Sequence, residues 1–219
     1  MKRKTTTLTI AAAALAACAA TAQDTPAPIT LNAPDLNRPA SMMQAFSKRA
    51  SATDYGDRAL ELQDLSDLLW AANGVNRAAE KKRTAPSTSN MQEVFIYVFS
   101  AEGAYLYDAF GSVLKPVAKG DFRAQVVTQQ PPEGKPHPPM LVFLVCDISL
   151  LKNIQDEAGK IKAAAIDAGI VSQNIGLFCA GAGLATRPRV SNNAAKLKEI
   201  LHLTDTQIPM LHHPVGYMK

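Results

Sequence analysis

The sequence predicts an α+β fold with a central, mostly antiparallel sheet flanked by helices. Three observations predict it. The β-branched and aromatic run Val94–Phe99 is followed, after a glycine-containing turn, by a second strand pattern at Ala104–Asp108, as in a hairpin. Met140–Asp147 is continuously apolar, which is typical of a buried central strand. Leu150–Leu184 has helical composition and is long enough to cover one face of a sheet.

The first residues have the pattern of a secretory signal peptide. Lys2–Lys4 is basic, Leu8–Ala17 is a short apolar run, and small residues follow. One interpretation is a signal over residues 1–22, with the mature chain starting at Gln23. In the other, Leu15–Cys18 is a lipobox, residues 1–17 are the signal, and a lipid on Cys18 anchors the protein to a membrane. Both predict export to the periplasm or outer membrane of a bacterium.

The net charge of the mature chain is small. The full sequence has 23 basic and 19 acidic residues, and three of the basic residues lie in the leader. The remaining 20 basic and 19 acidic residues give +1, which removes a bulk electrostatic case for nucleic-acid binding.

The mature sequence divides into an extended linker at residues 23–40 and a domain at residues 41–219. Four prolines among small and polar residues predict the linker, which could also be an arm over a partner subunit. Helical patterning begins at about Ser41, and a second helix fits Asp64–Asn73, with an apolar stripe and Gly74 just past its end.

The rest of the domain alternates strands, a loop and helices. A third strand is expected around Val113–Val117, and the prolines of Gln129–Pro139 exclude regular structure. The glycines of Leu150–Leu184 suggest close approach of another backbone, or alternatively two shorter helices broken at Gly169. Asn192 or Asn193 can cap a helix at Ala194–Leu201. Ile208–Tyr217 contains two prolines, which predict an edge-type strand.

Cysteine and histidine usage predicts no metal site. Cys146 and Cys179 lie in apolar runs and are interpreted as small buried hydrophobic residues, although an exported protein could join them in a disulfide. His212 and His213 are adjacent in a strand pattern, so their side chains should point to opposite faces and cannot chelate one ion.

The segment Arg49–Tyr55 combines a basic residue with hydroxyl residues at two-residue spacing. Such a set can bind phosphate through charge-assisted hydrogen bonds. The alternative is a solvated helix end with a Ser/Thr turn.

Together these segments resemble the nitroreductase family. That family begins with an R-x-S-x-R-x-F pattern, which Arg49 and Ser51 match, while Thr53 replaces the second basic residue and Tyr55 the aromatic one. A helix like Leu65–Arg77 follows in the family, and then a P-S-x-x-N-x-Q turn. The turn is matched here by Pro86, Ser87, Asn90 and Gln92.

The resemblance implies FMN as the cofactor and a homodimer as the assembly. The segment Asp167–Thr186 is similar to the long helix that packs against its twin in the family's obligate dimer, and Pro214–Tyr217 is similar to the closing strand. Basic residues near the C-terminus reach the flavin phosphate in many relatives, and Lys219, or Arg187 and Arg189, could take that place. The implied FMN-binding residues are Arg49, Ala50, Ser51, Thr53, Pro86, Ser87, Asn90, Gln92, Arg187 and Arg189.

The implied activity is ping-pong oxidoreduction through the flavin, with a nitroaromatic or quinone as acceptor. A backbone N–H from the loop Ala185–Ser191 is expected near N5 of the flavin, and no acid–base residue is assigned. The alternatives are a non-catalytic binding module on the same fold, or a flavin dehydrogenase acting on a peptide or amino-acid derivative. The sequence is most similar to the family branch that includes peptide azoline dehydrogenases. Export adds a constraint, since an exported protein meets no nicotinamide pool.

Overall fold

The computed structural model describes residues 25–219; the predicted signal peptide and Cys18 lie outside the described residues. The helices of this range are α1 (Met42–Lys48), α2 (Leu62–Asn73), α3 (Glu157–Ala182) and α4 (Ala194–Leu201). Its strands are β1 (Ile29–Thr30), β2 (Val75–Arg77), β3 (Lys82–Arg83), β4 (Val94–Phe99), β5 (Gly103–Asp108), β6 (Val113–Lys119), β7 (Met140–Asp147), β8 (Leu184–Thr186) and β9 (Gln207–Tyr217).

The main sheet has seven strands in the order β1-β6-β5-β4-β7-β9-β8, and all neighbouring strands are antiparallel. Strands β2 and β3 form a separate small ribbon. This architecture confirms the predicted α+β class with an antiparallel central sheet. Strands β4 and β7 have the bounds that the sequence predicted.

Strand β7 lies between β4 and β9, and its first seven residues are buried. Its register with β4 runs without a shift from Val94 opposite Cys146 to Phe99 opposite Leu141. Met140–Cys146 is apolar at every position because both faces of the sheet are covered, which removes the polar alternation of a half-exposed strand.

The edge position predicted for the closing strand is wrong. Strand β9 pairs with β7 along its length and with β8 through its last residues, so it lies inside the sheet. Both prolines are tolerated for a local reason. Strand β8 pairs only with Val215, Gly216 and Tyr217, so Pro209 and Pro214 lie where β8 offers no ladder partner. Pro209 also lies at a register shift against β7.

Helices α1 and α2 begin and pack as their sequences suggest. Ser41 forms a capping box with Gln44, in which each side chain accepts the other residue's backbone N–H. The apolar stripe of α2 is buried against the sheet, and Leu68 and Leu69 are fully buried. Burying each of these leucines stabilises the fold by about 1.5–3 kcal/mol.

Helix α3 is continuous over 26 residues, so the alternative of two helices broken at Gly169 is wrong. A Cβ at Gly169 would have no heavy atom within 4 Å, because this part of α3 faces outward. By length and composition α3 could cross a membrane. Its buried side packs on α1, α2 and β7, however, as the core helix of a globular domain does.

The two faces of the sheet carry separate hydrophobic clusters. One is formed with α2 and α3 and includes Leu68, Val142 and Ile175. The other is formed with α4 and includes Phe143 and Leu197. The side bearing the first cluster is called the α3 face below, and the opposite side the α4 face.

The segment predicted as an extended linker docks on its own chain from Ile29 onward. Strand β1 pairs with the edge strand β6, and Leu31 is buried. Arg38 then donates to Asp64 at 2.7 Å and to Asp67 at 2.6 Å on α2. The extended conformation agrees with the proline-rich sequence, while these bonds fix the segment to the domain.

Candidate functional site

The segment after α1 lies beside β8 and α3. The Ala52 N–H donates to the Thr186 carbonyl oxygen at 2.9 Å, which holds the Arg49–Thr53 segment against the end of the sheet. Arg49 and Ser51 are exposed there. Neither side chain has a hydrogen-bond partner or ion pair within residues 25–219, so both are available to a ligand.

These residues line a narrow cleft, called the Arg49 cleft below. Gly176 on α3 forms part of its floor, and a Cβ added there would come no closer than 4.0 Å to the nearest atom, Gln173 Oε1. The glycine therefore leaves open space between α3 and β8. The cleft is lined by Arg49, Ala50, Ser51, Ser172, Gln173, Gly176, Thr186, Pro188 and His213.

A buried hydrogen-bond network supports the wall of the Arg49 cleft. His213 Nε2 lies 2.8 Å from Ser172 Oγ, and His213 Nδ1 lies 3.1 Å from Thr186 Oγ1. Thr186 donates its hydroxyl proton to the Pro214 carbonyl at 2.9 Å, so it must accept from Nδ1–H of His213. Burial lowers the pKa of His213 to about 3, which keeps the ring neutral.

The Pro86–Gln92 turn is internally bonded. The Ser87 hydroxyl oxygen accepts the Gln92 N–H at 2.9 Å. The Gln92 amide accepts from Arg83 Nε at 2.8 Å and donates to the Lys81 carbonyl at 2.7 Å. Asn90 and Gln92 both have left-handed backbones, with φ of 56° and 54°. Asn tolerates this region, whereas Gln92 needs the side-chain bonds that hold the turn.

One chain does not bring the turn and the Arg49 cleft together. The Thr88 N–H donates to Asp167 Oδ2 at 2.6 Å, so the turn contacts the first half of α3. At about 1.5 Å and 100° per residue, Asp167 and Gly176 lie about 14 Å apart along α3 and face opposite sides. The turn and the Arg49 cleft therefore form separate groups of predicted FMN-binding residues in the monomer.

A third group lies on the α4 face. Arg187 and Arg189 point away from Pro188 into a separate cleft, called the Arg187 cleft below. Thr53 borders this cleft, and the adjacent Asp54 pairs with Lys135 at 3.1 Å and with Lys219 at 3.7 Å. The Arg187 cleft is lined by Thr53, Tyr55, Gln129, Lys135, Arg187, Arg189 and His212, among others.

Sequence reasoning missed a buried pair of carboxyl groups behind the turn. Glu93 is 0% exposed and lies next to Asp167, and within residues 25–219 neither oxygen of Glu93 has a hydrogen-bond partner that meets normal geometry. Burial, and then the neighbouring Asp167, raise the pKa of Glu93 to about 7. The only sequence signal was an acidic residue immediately before an apolar strand.

The two cysteines and the histidine pair behave as the sequence predicted. Cys146 and Cys179 are buried and not disulfide-bonded, and burial raises the pKa of both thiols. His212 and His213 point to opposite faces, since one stacks on Phe143 and the other bonds Ser172. Within residues 25–219 no three His, Cys, Asp or Glu side chains are placed to hold a metal ion.

The fold thus places the exposed Arg49 and Ser51 between a long helix and the end of an antiparallel sheet. The family model of the nitroreductase family matches residues 46–217, and the chain belongs to that family.

Solved structures agree with this assignment. A protein described as a nitroreductase from Ralstonia eutropha JMP134 is 28% identical, with a TM-score of 0.79 over 88% of this chain and 90% of its own. A chain of the Escherichia coli microcin synthetase McbBCD complex, solved with truncated pro-MccB17 bound, is 16% identical, with a TM-score of 0.68 over 78% and 70%. A nitroreductase family protein from Clostridium difficile 630 is 18% identical, with a TM-score of 0.55 over 80% and 83%. No curated protein matches this chain.

Proposed function

We propose that this protein is an FMN-dependent oxidoreductase that reduces a small acceptor, such as a nitroaromatic or a quinone, in a ping-pong cycle. The observation that carries the proposal is the Arg49 cleft in a chain of the nitroreductase family. Arg49 and Ser51 present a guanidinium and a hydroxyl without protein partners, and these are the donors that a phosphate group requires.

The residues of the Arg49 cleft fit FMN in part. The donors suit its phosphate, and the open space at Gly176 leaves room for a ligand beside α3. Thr53, which replaces the family's second basic residue, borders the Arg187 cleft instead and offers only a hydroxyl. One phosphate contact is therefore weaker, and we expect lower affinity than a site with two cations would give.

Bound FMN would supply the hydride acceptance and donation that the side chains lack. The protein's own task is to bind and orient it. The loop after β8 could donate a backbone hydrogen bond to the flavin ring, but Pro188 has no N–H and the Arg189 N–H already donates to the His212 carbonyl. Arg187, Val190 and Ser191 are the remaining donors of this loop, so we assign the hydrogen bond to one of them.

We further propose a homodimer in which each FMN contacts both chains. The outward side of α3 carries Ile161 and Ile166, and Ile166 is 55% exposed although it is a large apolar residue. Gly169 between them and the Arg49 cleft lets another helix approach closely. A second copy packed across Gly169 could bring its Pro86–Gln92 turn towards the Arg49 cleft, which one chain alone leaves incomplete.

Flavin titration tests the cofactor assignment. The mature wild-type chain is titrated with FMN, and binding is followed by quenching of flavin fluorescence. Arg49→Ala should weaken binding about tenfold to a hundredfold, because a charge-assisted hydrogen bond contributes about 1.5–3 kcal/mol. Arg77→Ala removes another exposed arginine and serves as the matched control, with unchanged affinity expected. Absence of FMN binding to the wild type, or equal affinity of both variants, contradicts the proposal.

Turnover separates an enzyme from a non-catalytic binding module. The flavin-loaded protein is reduced with dithionite, freed of excess reductant, and mixed with a quinone or nitroaromatic. An enzyme reoxidises rapidly and repeatedly when the reductant is restored. A binding module on the same fold retains FMN but shows no acceptor-dependent reoxidation.

The microcin synthetase complex favours a second candidate, a flavin dehydrogenase acting on a peptide or amino-acid derivative. Its similar chain was solved with truncated pro-MccB17 bound, and the 16% identity supports the fold alone. Incubation of the flavin-loaded protein with azoline-containing peptides under oxygen tests this candidate. A loss of two mass units from the peptide supports it, and unchanged peptide rejects it.

We also propose that the protein is exported, on the basis of the basic start and apolar run of residues 1–22. Expression of the full chain in a bacterium followed by fractionation tests the location. Cys18→Ser distinguishes the two signals: it releases the protein from the membrane if Cys18 is lipidated, and changes nothing if cleavage follows Ala22.

A further inference from the structure

The Arg187 cleft is built by residues that strand pairing directs to the α4 face. Arg189 and His212 lie opposite each other and exchange two backbone hydrogen bonds of 2.8 Å. Directly opposite residues of an antiparallel pair project to the same side, so the two side chains lie together. Arg187 is two residues before Arg189 and reaches the same cleft.

The charge in this cleft is unbalanced. Burial lowers the pKa of Arg189, and the nearby positive charge of Arg187 lowers it further. Asp54 is the one acidic residue among those lining the cleft, and it pairs with Lys135 and Lys219. Arginine cannot relieve such a conflict by losing its proton, so two neighbouring guanidinium groups call for an anion.

Two buried nitrogen atoms of the cleft have no partner. Arg187 Nε and His212 Nδ1 are both inaccessible and unbonded within the described chain. His212 is 1% exposed, and its ring is fixed by stacking on Phe143 at 4.7 Å between ring centroids. Buried polar atoms are almost always bonded to protein, water or ligand, so these two indicate a missing group.

We propose that the Arg187 cleft binds a small oxyanion, a carboxylate or phosphate group, between Arg187, Arg189 and His212. It is separate from the Arg49 cleft, because the two lie on opposite faces of the β8–β9 end of the sheet. The proline-rich Gln130–Pro138 loop and Tyr55 supply an apolar wall, which suits the hydrocarbon part of an organic acid. The Tyr55 hydroxyl donates to the Ala52 carbonyl at 3.0 Å, and Arg189 Nη2 donates to Gln129 Oε1. The remaining guanidinium N–H groups of Arg187 and Arg189 are the donors to the anion.

Titration calorimetry on the mature chain without added flavin tests the proposal. Inorganic phosphate and a panel of monocarboxylates of increasing size are the probes, in a buffer of a bulky zwitterion. We expect binding of at least one probe, and at least tenfold weaker binding after Arg187→Gln or Arg189→Gln. Arg77→Gln is the matched control, which removes an exposed arginine that lines neither cleft and should retain the affinity.

The outcomes are distinguishable. Preference for carboxylates of a particular size indicates an organic acid as the natural ligand, and preference for phosphate indicates a phosphate group; both support the site. Failure of every probe to bind, or equal losses in Arg77→Gln and Arg189→Gln, overturns it. His212→Phe serves as a further variant if an arginine variant does not fold, and it too should weaken binding. Because FMN binding is read separately by fluorescence, failure here leaves the flavin proposal standing.

Discussion

His212 and His213 are adjacent on β9, yet their surroundings differ completely. His213 faces α3 and has both ring nitrogens bonded, to Ser172 and to Thr186. His212 faces the other way, stacks on Phe143, and has a buried nitrogen without a partner beside two arginines. The pleat of one strand thus separates a structural histidine, which the fold itself satisfies, from a histidine placed to meet a ligand.

Glu93 shows a second way to tolerate an unpartnered buried group. It lies on the α3 face with neither oxygen bonded, as His212 does on the α4 face. A carboxyl group can remove the cost of burial by keeping its proton, whereas Arg187 and Arg189 remain charged. The missing partners on the two faces therefore have different meanings. On the α3 face a proton removes the charge of Glu93. On the α4 face the charges of Arg187 and Arg189 persist and need an anion.

The largest effect that we predict concerns Glu93. Its pKa is raised from 4.5 to about 7 in the folded state, so the folded protein binds more protons than the unfolded chain between these values. The contribution of Glu93 to the free energy of unfolding should therefore fall by up to about 3 kcal/mol as the pH rises from about 4.5 to 7. His212 and His213, whose pKa values are lowered by burial, contribute in the opposite direction, so the effect of Glu93 is the difference in slope between the wild type and Glu93→Gln. Urea unfolding from pH 5 to 8 measures it, and an equal slope in both proteins contradicts the prediction.

His213→Phe should lower the free energy of unfolding by about 2 kcal/mol. The substitution removes both hydrogen bonds of the ring and leaves the buried Ser172 hydroxyl without its partner. Urea denaturation at pH 7 gives the free energy of unfolding from its midpoint and slope. A loss below about 0.5 kcal/mol would show that the network contributes little.

His212→Phe should change the free energy of unfolding by less than about 1 kcal/mol at pH 7. It removes no protein hydrogen bond and preserves a ring against Phe143. The same denaturation experiment compares it with His213→Phe, which is the matched control on the neighbouring residue. Equal destabilisation by the two substitutions would remove the distinction between the two faces.

The elements that the sequence predicted correctly are those specified by their own residues. Met140–Cys146 is apolar at every position, and Ala194–Leu201 begins just after a capping asparagine, so local pattern alone defines them. The Arg49 and Ser51 pair was found in the same way, because its spacing is visible in a short segment. Whether these residues hold FMN stays a prediction.

The features that could not be predicted from the sequence depend on contacts between residues that are far apart along the chain. Strands β1 and β8 are two and three residues long, too short for a periodic signal, and exist because β6 and β9 offer open edges. The prolines of β9 suggested an edge strand. They are tolerated inside the sheet because β8 is short, and the local sequence of β9 does not show the length of its partner. The surroundings of Glu93 and His212 likewise follow from packing between separate segments.

The ion pairs of Arg38 with Asp64 and Asp67 on α2 limit how far the domain of an anchored protein can lie from the membrane. With β1 paired to β6, the described chain is held against the domain from Ile29 onward rather than from residue 41. If Cys18 carries a lipid, the covalent chain from there to Ile29 reaches at most about 40 Å. The domain would then stay close to the bilayer surface. Its electron donors and acceptors would be restricted to molecules that are themselves in or near the membrane.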